Sequence, residues 1–370
     1  GPIAHFVESL VSLVGLDGTW VESLLIDGVI AGVGAVLVFV PILLALYLAL
    51  GILEDTGYMA RAAFVMDRVM RGVGLQGKAF LPMLVGFGCT VPAVYATRTL
   101  EDERDRILTS LLVPFMSCGA RLPVYVLISA VFFPQHAGLV VFGMYLLGIV
   151  VALVIGLVLK RTLLPVTSHA PTIMEMPPYR LPTFRTIWFH TWTRVTAFIG
   201  GAGSLIFGTM IVVWFLMAVP VGGTGGFADT EVDDSAFAAV SGVVAPAFEP
   251  AGFGTWEAAG SLLTGFVAKE VVVGTMAQVY GMDESDASGA DPSIGDSARE
   301  IVTGFAGAVV GALKATPGIF GIDLTDDEAA GESSSLMVSI RGSFEKSSGG
   351  HGAAAALAFL VFVLLYTPCM

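Results

Sequence analysis

The sequence predicts an all-α polytopic membrane protein. Its mean hydropathy is +0.83, and 55% of its 370 residues are hydrophobic against 13% charged, more apolar surface than a water-soluble core can hide. Residues 107–133 form one candidate span, which only Arg121 interrupts. Because the apolar runs recur along the chain and exceed the core of a signal peptide, none is expected to be a cleaved targeting segment. Uncharged stretches long enough to cross a hydrocarbon core of about 30 Å run over residues 28–53, 137–159, 195–228 and 352–370.

Basic residues indicate how these spans are oriented. Twelve of the eighteen lysines and arginines fall within residues 61–78, 98–106 and 160–194, which by the positive-inside bias face the cytoplasm. The acidic loops then face outside, and their apolar stretch 301–313 is expected to form a partly inserted or surface helix. The predicted organisation is an N-terminal segment (1–27), a first half (28–160), a cytoplasmic basic linker (161–194), a second half (195–282), acidic outer loops with a short helix (283–350) and a last span (351–370).

A re-entrant hairpin is predicted over residues 79–97. Lys78 and Arg98 flank this apolar segment, and both are cytoplasmic by the charge argument, so a straight span would return the chain on the wrong side. Glycines and prolines break the segment, and Cys89 lies at the break. Irregular backbone at membrane depth is tolerated only where it is buried in protein or lines a polar cavity.

A second hairpin is predicted over residues 258–282. This segment is apolar except for Lys269 and Glu270 at its centre, and the loops on both sides are acidic, so it should enter and leave on the outside. It would be an inverted counterpart of the first hairpin, which is the arrangement that transporter repeats use for their broken helices.

The chemistry available at membrane depth comes from thiols and carboxylates. Each of the three cysteines, Cys89, Cys118 and Cys369, stands beside a glycine or proline that breaks a helix. Thiolates, freed carbonyls and a carboxylate suit a borderline or soft divalent metal better than Mg²⁺ or Ca²⁺. The alternatives are that a buried cysteine is only a small hydrophobe, and that Arg121 and Glu270 form a structural ion pair.

Residues 72–79 resemble a phosphate-binding loop only in part. Residues 72–79 read GVGLQGKA, which approaches the phosphate-binding pattern G-x-x-x-x-G-K-[ST] but ends in alanine. The preceding RAAFVMDRVMR predicts an amphipathic interfacial helix rather than a strand. No nucleotide site is therefore expected in this chain.

Six motifs in chain order identify a family. The chain closely resembles the membrane domain of FeoB-type ferrous iron transporters in LLIDGVIAGVGAVLVFVP, LEDTGYMARAAFVMDR, GFGCTVPAVYATRTLEDERDR, PFMSCGARLPVY, FVAKEVVVGT and LLYTPC. The resemblance implies two inverted gate-type halves, each with a re-entrant helical hairpin. Thr90 stands where asparagine is usual in the family, and Gly119 where serine is common.

The resemblance also implies the setting of the chain. Family members carry an N-terminal cytosolic GTPase domain and a first membrane helix, and they continue past the YTPC motif, so a truncated or split-gene product is expected. The resemblance therefore implies a multi-pass protein of the prokaryotic plasma or inner membrane. Its expected partners are small accessory Feo-type proteins, and it is expected to form a homo-oligomer. Neither enzyme activity in this chain nor a nucleic-acid partner is expected.

The function predicted is inward transport of Fe²⁺ between the two hairpins. Cys89, Cys118 and Cys369 would supply thiolate ligands, Glu270 would face them from the opposite hairpin, and Glu54 would guard the cytoplasmic mouth. The alternatives are a carrier of nucleosides or other organic solutes, and a non-transporting membrane scaffold. Metal-dependent binding would distinguish them.

Overall fold

The computed structural model describes residues 20–162, 179, 182–221, 227, 234–266, 269, 271–279 and 334–366. This part of the chain is helical, with 3₁₀ and π segments between the α-helices and a lone antiparallel bridge between Pro220 and Ser235. The prediction of an all-α protein is confirmed. The predicted helix over 301–313 lies outside the described residues.

The α-helices of the described part are numbered in chain order. They are α1 (Trp20–Ser23), α2 (Ala31–Asp55), α3 (Tyr58–Val73), α4 (Phe80–Gly88), α5 (Thr90–Ala96), α6 (Glu103–Leu112), α7 (Leu122–Phe132), α8 (Ala137–Thr162), α9 (Phe184–Phe198), α10 (Ser204–Ala218), α11 (Ala236–Val244), α12 (Trp256–Gly265), α13 (Val271–Val279), α14 (Ser334–Ser347) and α15 (Gly352–Leu365).

Several of these helices are long and apolar enough to cross a membrane. Among the described residues, three helical stretches pass by length and composition, namely Glu103–Phe132, Ala137–Thr162 and Arg185–Ala218. The total rises to six if each of three sharply bent helix pairs is one span. The architecture is that of a polytopic membrane protein, as the sequence predicts.

Residues 20–55, from α1 to α2, are called the first helical stretch, and they pack with the α9–α10 stretch as an antiparallel pair. Each stretch contains a π segment, Leu24–Ile30 in the first and Ile199–Gly203 in the second. A Cβ atom at Gly28 would lie 3.6 Å from the Trp214 ring at one end of the pair. At the other end, a Cβ atom at Gly51 would lie 3.2 Å from Ile187. Small residues thus let the two backbones approach closely at both ends of the pair.

Helix α9 begins within the segment that was expected to be a basic linker. It starts at Phe184, and Trp188 and Trp192 stack one turn apart on it with ring centroids 6.3 Å apart. Aromatic residues favour the membrane–water interface, so α9 continues the α10 span beyond the purely apolar stretch.

Helix α3 is the predicted amphipathic helix. It follows α2 after a bend of 81° at Gly57, whose φ of 75° is the left-handed conformation that glycine adopts without strain. Met59, Ala63 and Met70 are buried on one face of α3. The element that precedes GVGLQGKA is therefore a helix, as expected.

The largest apolar core lies where α7, α12, α13, α14 and α15 pack together. Phe359 of α15 lies at its centre, with Phe253 and Phe344 at centroid distances of 5.4 and 5.6 Å in edge-to-face geometry. Such aromatic pairs add packing energy beyond the area they bury. This core holds the second hairpin against the last helix of the described part.

Candidate functional site

The first hairpin breaks at one residue. Helices α4 and α5 pack against each other and meet at Cys89, which has the extended backbone angles φ −152° and ψ 134°. The Cys89 N–H donates to the Val85 carbonyl at 3.0 Å, which closes α4. The half-buried Cys89 side chain packs with the cluster around Tyr47 and Val195. The break that glycine and proline predict is therefore present at the expected thiol.

A second break separates α6 from α7. Two 3₁₀ segments, Val113–Phe115 and Gly119–Arg121, flank an extended stretch that ends at Cys118. Cys118 is buried, and the neighbouring Ser117 hydroxyl lies 3.4 Å from the Tyr125 hydroxyl. The long apolar stretch over 107–133 is thus two half-helices joined by irregular backbone.

The two cysteine breaks lie against each other. A Cβ atom at Gly119 would lie 3.7 Å from the Gly88 carbonyl oxygen, and one at Gly86 would lie 3.3 Å from Met116 Cβ. Gly88 also packs tightly, because a Cβ atom there would lie 2.8 Å from Leu46 Cδ1. The two breaks are therefore adjacent, which places Cys89 and Cys118 on neighbouring segments of backbone.

Arg121 ties the second break to the end of α15. Its side chain is fully buried, and it donates to the Met116 carbonyl at 3.2 Å and to the Tyr366 carbonyl at 3.3 Å. Its Nε has no hydrogen-bond partner among the described residues. Glu270, expected either as a metal ligand or as the ionic partner of Arg121, lies outside the described residues, so both alternatives stay predictions.

The second hairpin reaches the same region. The Thr264 and Thr275 hydroxyls are 2.9 Å apart and join α12 to α13. A Cβ atom at Gly265 would lie 2.7 Å from the Tyr366 hydroxyl, and Lys269, between the two helices, is fully buried. Tyr366 therefore contacts both Arg121 and the second hairpin, so the end of α15, the second break and the second hairpin meet.

A cavity of about 390 Å³ lies beside the first hairpin. Its walls come from α2, α9 and the hairpin, and most of its lining is apolar. At its rim Arg194 Nη2 lies 3.2 Å from Glu54 Oε2, and the Glu54 side chain is 62% exposed. Glu54 thus sits at the opening of a cavity, the kind of place that its predicted role requires.

An ion pair joins the two ends of the first hairpin. Lys78 Nζ lies 2.7 Å from Glu101 Oε1, and these residues stand just before and just after the hairpin. The hydrogen bond from Lys78 and its positive charge lower the pKa of Glu101 below 4.5.

The predicted ligands are only partly within the described residues. Cys89, Cys118 and Glu54 are described, whereas Glu270 and Cys369 are not. Within the described ranges, no three His, Cys, Asp or Glu side chains form a group that could hold a metal ion. The five-residue ligand set therefore stays a prediction.

Sequence reasoning missed Tyr366 and the threonine pair Thr264–Thr275. Both are neutral, so neither carries the signal that marks an ionisable group in an apolar segment. The LLYTPC motif does contain Tyr366, and its position two residues before Pro368 is the signal that could have found it.

Two family models match the chain. The Gate model, described as nucleoside recognition, matches residues 36–132 and 199–370, which is more than half of the chain. A second model, described as the C terminus of ferrous iron transport protein B, matches residues 141–194. No solved structure shows a significant match.

Curated relatives match over most of the chain. The Fe(2+) transporter FeoB of Staphylococcus aureus (strain COL) is 42% identical over 280 residues, covering 76% of this chain and 41% of that protein. The Fe(2+) transport protein A/Fe(2+) transporter FeoB fusion protein of Porphyromonas gingivalis is 40% identical over 325 residues, covering 80% and 38%. The Fe(2+) transporter FeoB of Salmonella typhimurium is 39% identical over 355 residues, covering 95% and 45%. The chain thus spans less than half the length of these relatives.

Proposed function

Because this chain belongs to the FeoB family and comprises its membrane gate domain, we propose that it forms the path by which Fe²⁺ crosses the membrane into the cytoplasm. The observation that carries the proposal is the meeting of the two cysteine breaks, at Gly88–Cys89 and Cys118–Gly119. A transported ion needs ligands that are adjacent in space, and these two thiols stand on backbone segments in contact.

The broken helices supply further ligands. The C-terminal end of α4 stops at Gly88, and the last carbonyls of a half-helix carry partial negative charge that favours a cation. Cysteine thiolates add the softer donors that Fe²⁺ accepts better than Mg²⁺ or Ca²⁺ do. The Thr90 hydroxyl, buried and without a hydrogen-bond partner among the described residues, adds an oxygen beside Cys89.

The cavity beside the hairpin would be the cytoplasmic vestibule of this path. Glu54 at its rim attracts the cation, and Arg194 neutralises the carboxylate when no ion is present. The vestibule and the cysteine breaks share the first hairpin, so an ion that leaves the breaks would enter the cavity.

The relatives and the sequence support the remaining ligands, the arrangement of the two halves and the partners. Cys369 and Glu270 complete the ligand set, and the two halves are inverted about the membrane plane. A cytosolic GTPase domain on the same or a separate chain supplies energy. The Porphyromonas gingivalis fusion protein supports a small accessory Feo-type partner. The protein would act in the prokaryotic plasma or inner membrane, as a homo-oligomer.

Anaerobic Fe²⁺ binding by the purified chain tests the path. Changes outside the ligand shell already lower metal affinity about 10–100-fold, so Cys89→Ser and Cys118→Ser should each cost at least as much. Because a thiol binds metal as the thiolate, binding should release protons and weaken as the pH falls. Met70→Leu removes a sulfur atom from a buried position in α3 and is the matched control. Parent-like binding by both cysteine variants would show that the thiols only let the chain turn tightly.

Glu270 has a separate test. As a ligand, its change to glutamine should weaken Fe²⁺ binding and leave stability nearly unchanged. As the counter-ion of buried Arg121, the same change should lower the free energy of unfolding by roughly 3–5 kcal/mol with metal affinity unchanged. The second result would remove Glu270 from the ligand set.

A nucleoside carrier is the second candidate, since the Gate model is described as nucleoside recognition. The sequence contains no asparagine, which is one of the two amide side chains expected to read a nucleobase edge. Stabilisation of the purified chain by nucleosides but not by Fe²⁺ would favour this candidate.

A further inference from the structure

Basic side chains gather where the C-terminal ends of α3 and α8 meet. Lys160 of α8 lies across the last turn of α3, with its Nζ 3.5 Å from the Gly72 carbonyl oxygen. Its methylene carbons cover Gly74, where φ is 90° and a Cβ atom would lie 2.5 Å from Lys160 Cδ. The stem of Lys160 is thus fixed against α3 while its charge stays at the surface.

Three arginines extend this charge. Arg71 is paired through its Nε with Asp67 Oδ2 at 2.7 Å, and its side chain remains 56% exposed. Arg68, one turn before Gly72, and Arg161, next to Lys160, are also exposed. We define Arg68, Arg71, Lys160 and Arg161 as the basic junction. Four cations with one carboxylate among them leave a clear excess of positive charge.

An apolar stripe runs from the basic junction along α8. The most apolar stretch of this helix has a mean hydropathy of 2.7, and only 17% of it is buried inside the protein. Seven of its exposed apolar residues recur at helical spacing, so they form one continuous face. They are Leu139, Phe142, Leu146, Val150, Val154, Leu157 and Val158.

Helix α3 presents a second apolar surface beside the basic junction. Phe64, Val65 and Val69 are exposed, with Val65 at 73%. Because α3 lies 81° from α2, it runs across the direction of that span rather than along it. An amphipathic helix in this orientation lies in the interface between headgroups and acyl chains.

We propose that the basic junction is a binding site for an anionic phospholipid. The phosphate of the headgroup lies among Arg68, Arg71 and the two basic residues of α8. The acyl chains follow the apolar stripe of α8 from Val158 and Leu157 towards Leu139.

The combination of charge and apolar surface selects the occupant. A free phosphate would use the cations but not the stripe, and a neutral lipid would use the stripe but not the cations. An anionic phospholipid matches both, and juxtamembrane basic residues are attracted to such lipids at the cytoplasmic surface. The site is independent of the metal path, since it shares none of the cysteines or carboxylates of that path.

The test measures lipid binding by the full purified chain in neutral detergent. Phosphatidylglycerol is titrated against a background of phosphatidylcholine, and bound lipid is counted by native mass spectrometry. The variant is R68Q/R161Q, because both side chains are exposed and their loss leaves the Lys160 and Arg71 contacts intact. The matched control is R98Q/R185Q, which removes two exposed arginines from elsewhere on the cytoplasmic side. Unchanged thermal unfolding in lipid-free detergent verifies that both variants are folded.

The expected result is loss of affinity for phosphatidylglycerol by roughly 30-fold in R68Q/R161Q, with the control close to the parent. Binding should also weaken as salt is raised. An equal loss in the control would overturn the site, because attraction would then be a property of the whole cytoplasmic surface. Displacement of the lipid by equimolar glycerol phosphate would reassign the basic junction to a soluble phosphate. Parent-like affinity in R68Q/R161Q would exclude the proposal.

Discussion

Gly148 of α8 provides the sharpest test of how the second break is held. A Cβ atom at this position would lie 2.8 Å from the Phe115 carbonyl oxygen and 3.3 Å from Ser117 Oγ. It would also lie 3.2 Å from Leu364 Cδ1 of α15. Gly148→Ala therefore forces one methyl group into space that backbone already occupies, and backbone cannot turn away as a side chain can.

Gly143 is the matched control, because it lies on the same helix with no atom within 4 Å of its Cβ position. Both substitutions gain the same helix propensity, up to about 1 kcal/mol, so their difference isolates the steric cost. Overpacking of this kind costs about 1–3 kcal/mol. We expect Gly148→Ala to be less stable than Gly143→Ala by that amount, measured as the free energy of unfolding by denaturant titration in mild detergent.

The backbone displacement caused by Gly148→Ala should also move the Cys118 thiol. Cys118 lies three residues beyond Phe115 on the displaced backbone, so Gly148→Ala should also weaken anaerobic Fe²⁺ binding. Gly143→Ala should bind like the parent. Equal stability and equal metal affinity in the two variants would refute the claim that α8 fixes the geometry of the second break.

Three further perturbations test the surrounding contacts. Arg121→Met should lower the free energy of unfolding by roughly 2–4 kcal/mol, because the buried Met116 carbonyl and the partly buried Tyr366 carbonyl lose their donor; a more stable variant would mean that desolvation of the guanidinium dominates. The Lys78–Glu101 pair should stabilise the parent relative to Glu101→Gln above pH 4.5, and the difference in thermal unfolding should vanish as the pH falls through the lowered pKa of Glu101; a pH-independent difference would contradict this. Glu54→Gln should slow initial Fe²⁺ uptake into proteoliposomes containing the complete transporter, whereas Arg194→Gln should not, and neither should change stability by more than about 1 kcal/mol; slower uptake in Arg194→Gln alone would reverse the assigned roles.

The local breaks of this fold could be predicted from sequence. Gly88 and Pro92 beside Cys89 interrupt a helix by their own backbone properties, and the structure breaks there. The amphipathic pattern of α3 likewise places Met59 and Met70 on its buried face. Such features depend on neighbours in the chain, so one sequence contains the information.

The meeting of the breaks could not be predicted. Gly88 and Gly119 lie close together because of how several helices pack, and no local pattern reports that packing. Arg121 shows the same limit, since sequence reasoning looked for a carboxylate partner whereas its described hydrogen bonds go to backbone carbonyls. Every residue has a carbonyl, so a carbonyl partner leaves no mark in the sequence.

The close packing of the first helical stretch on α9 and α10 has a mechanical consequence. The contacts run from Gly28 against Trp214 to Gly51 against Ile187, so these helices form one wall and are expected to move together. The opposite wall of the 390 Å³ cavity is the first hairpin, made of two short helices joined at a single extended residue. We expect the cavity to change volume by a swing of the hairpin away from this wall. Spin labels on α2 and α9 should keep one fixed separation with and without Fe²⁺, while the separation between α2 and α5 changes.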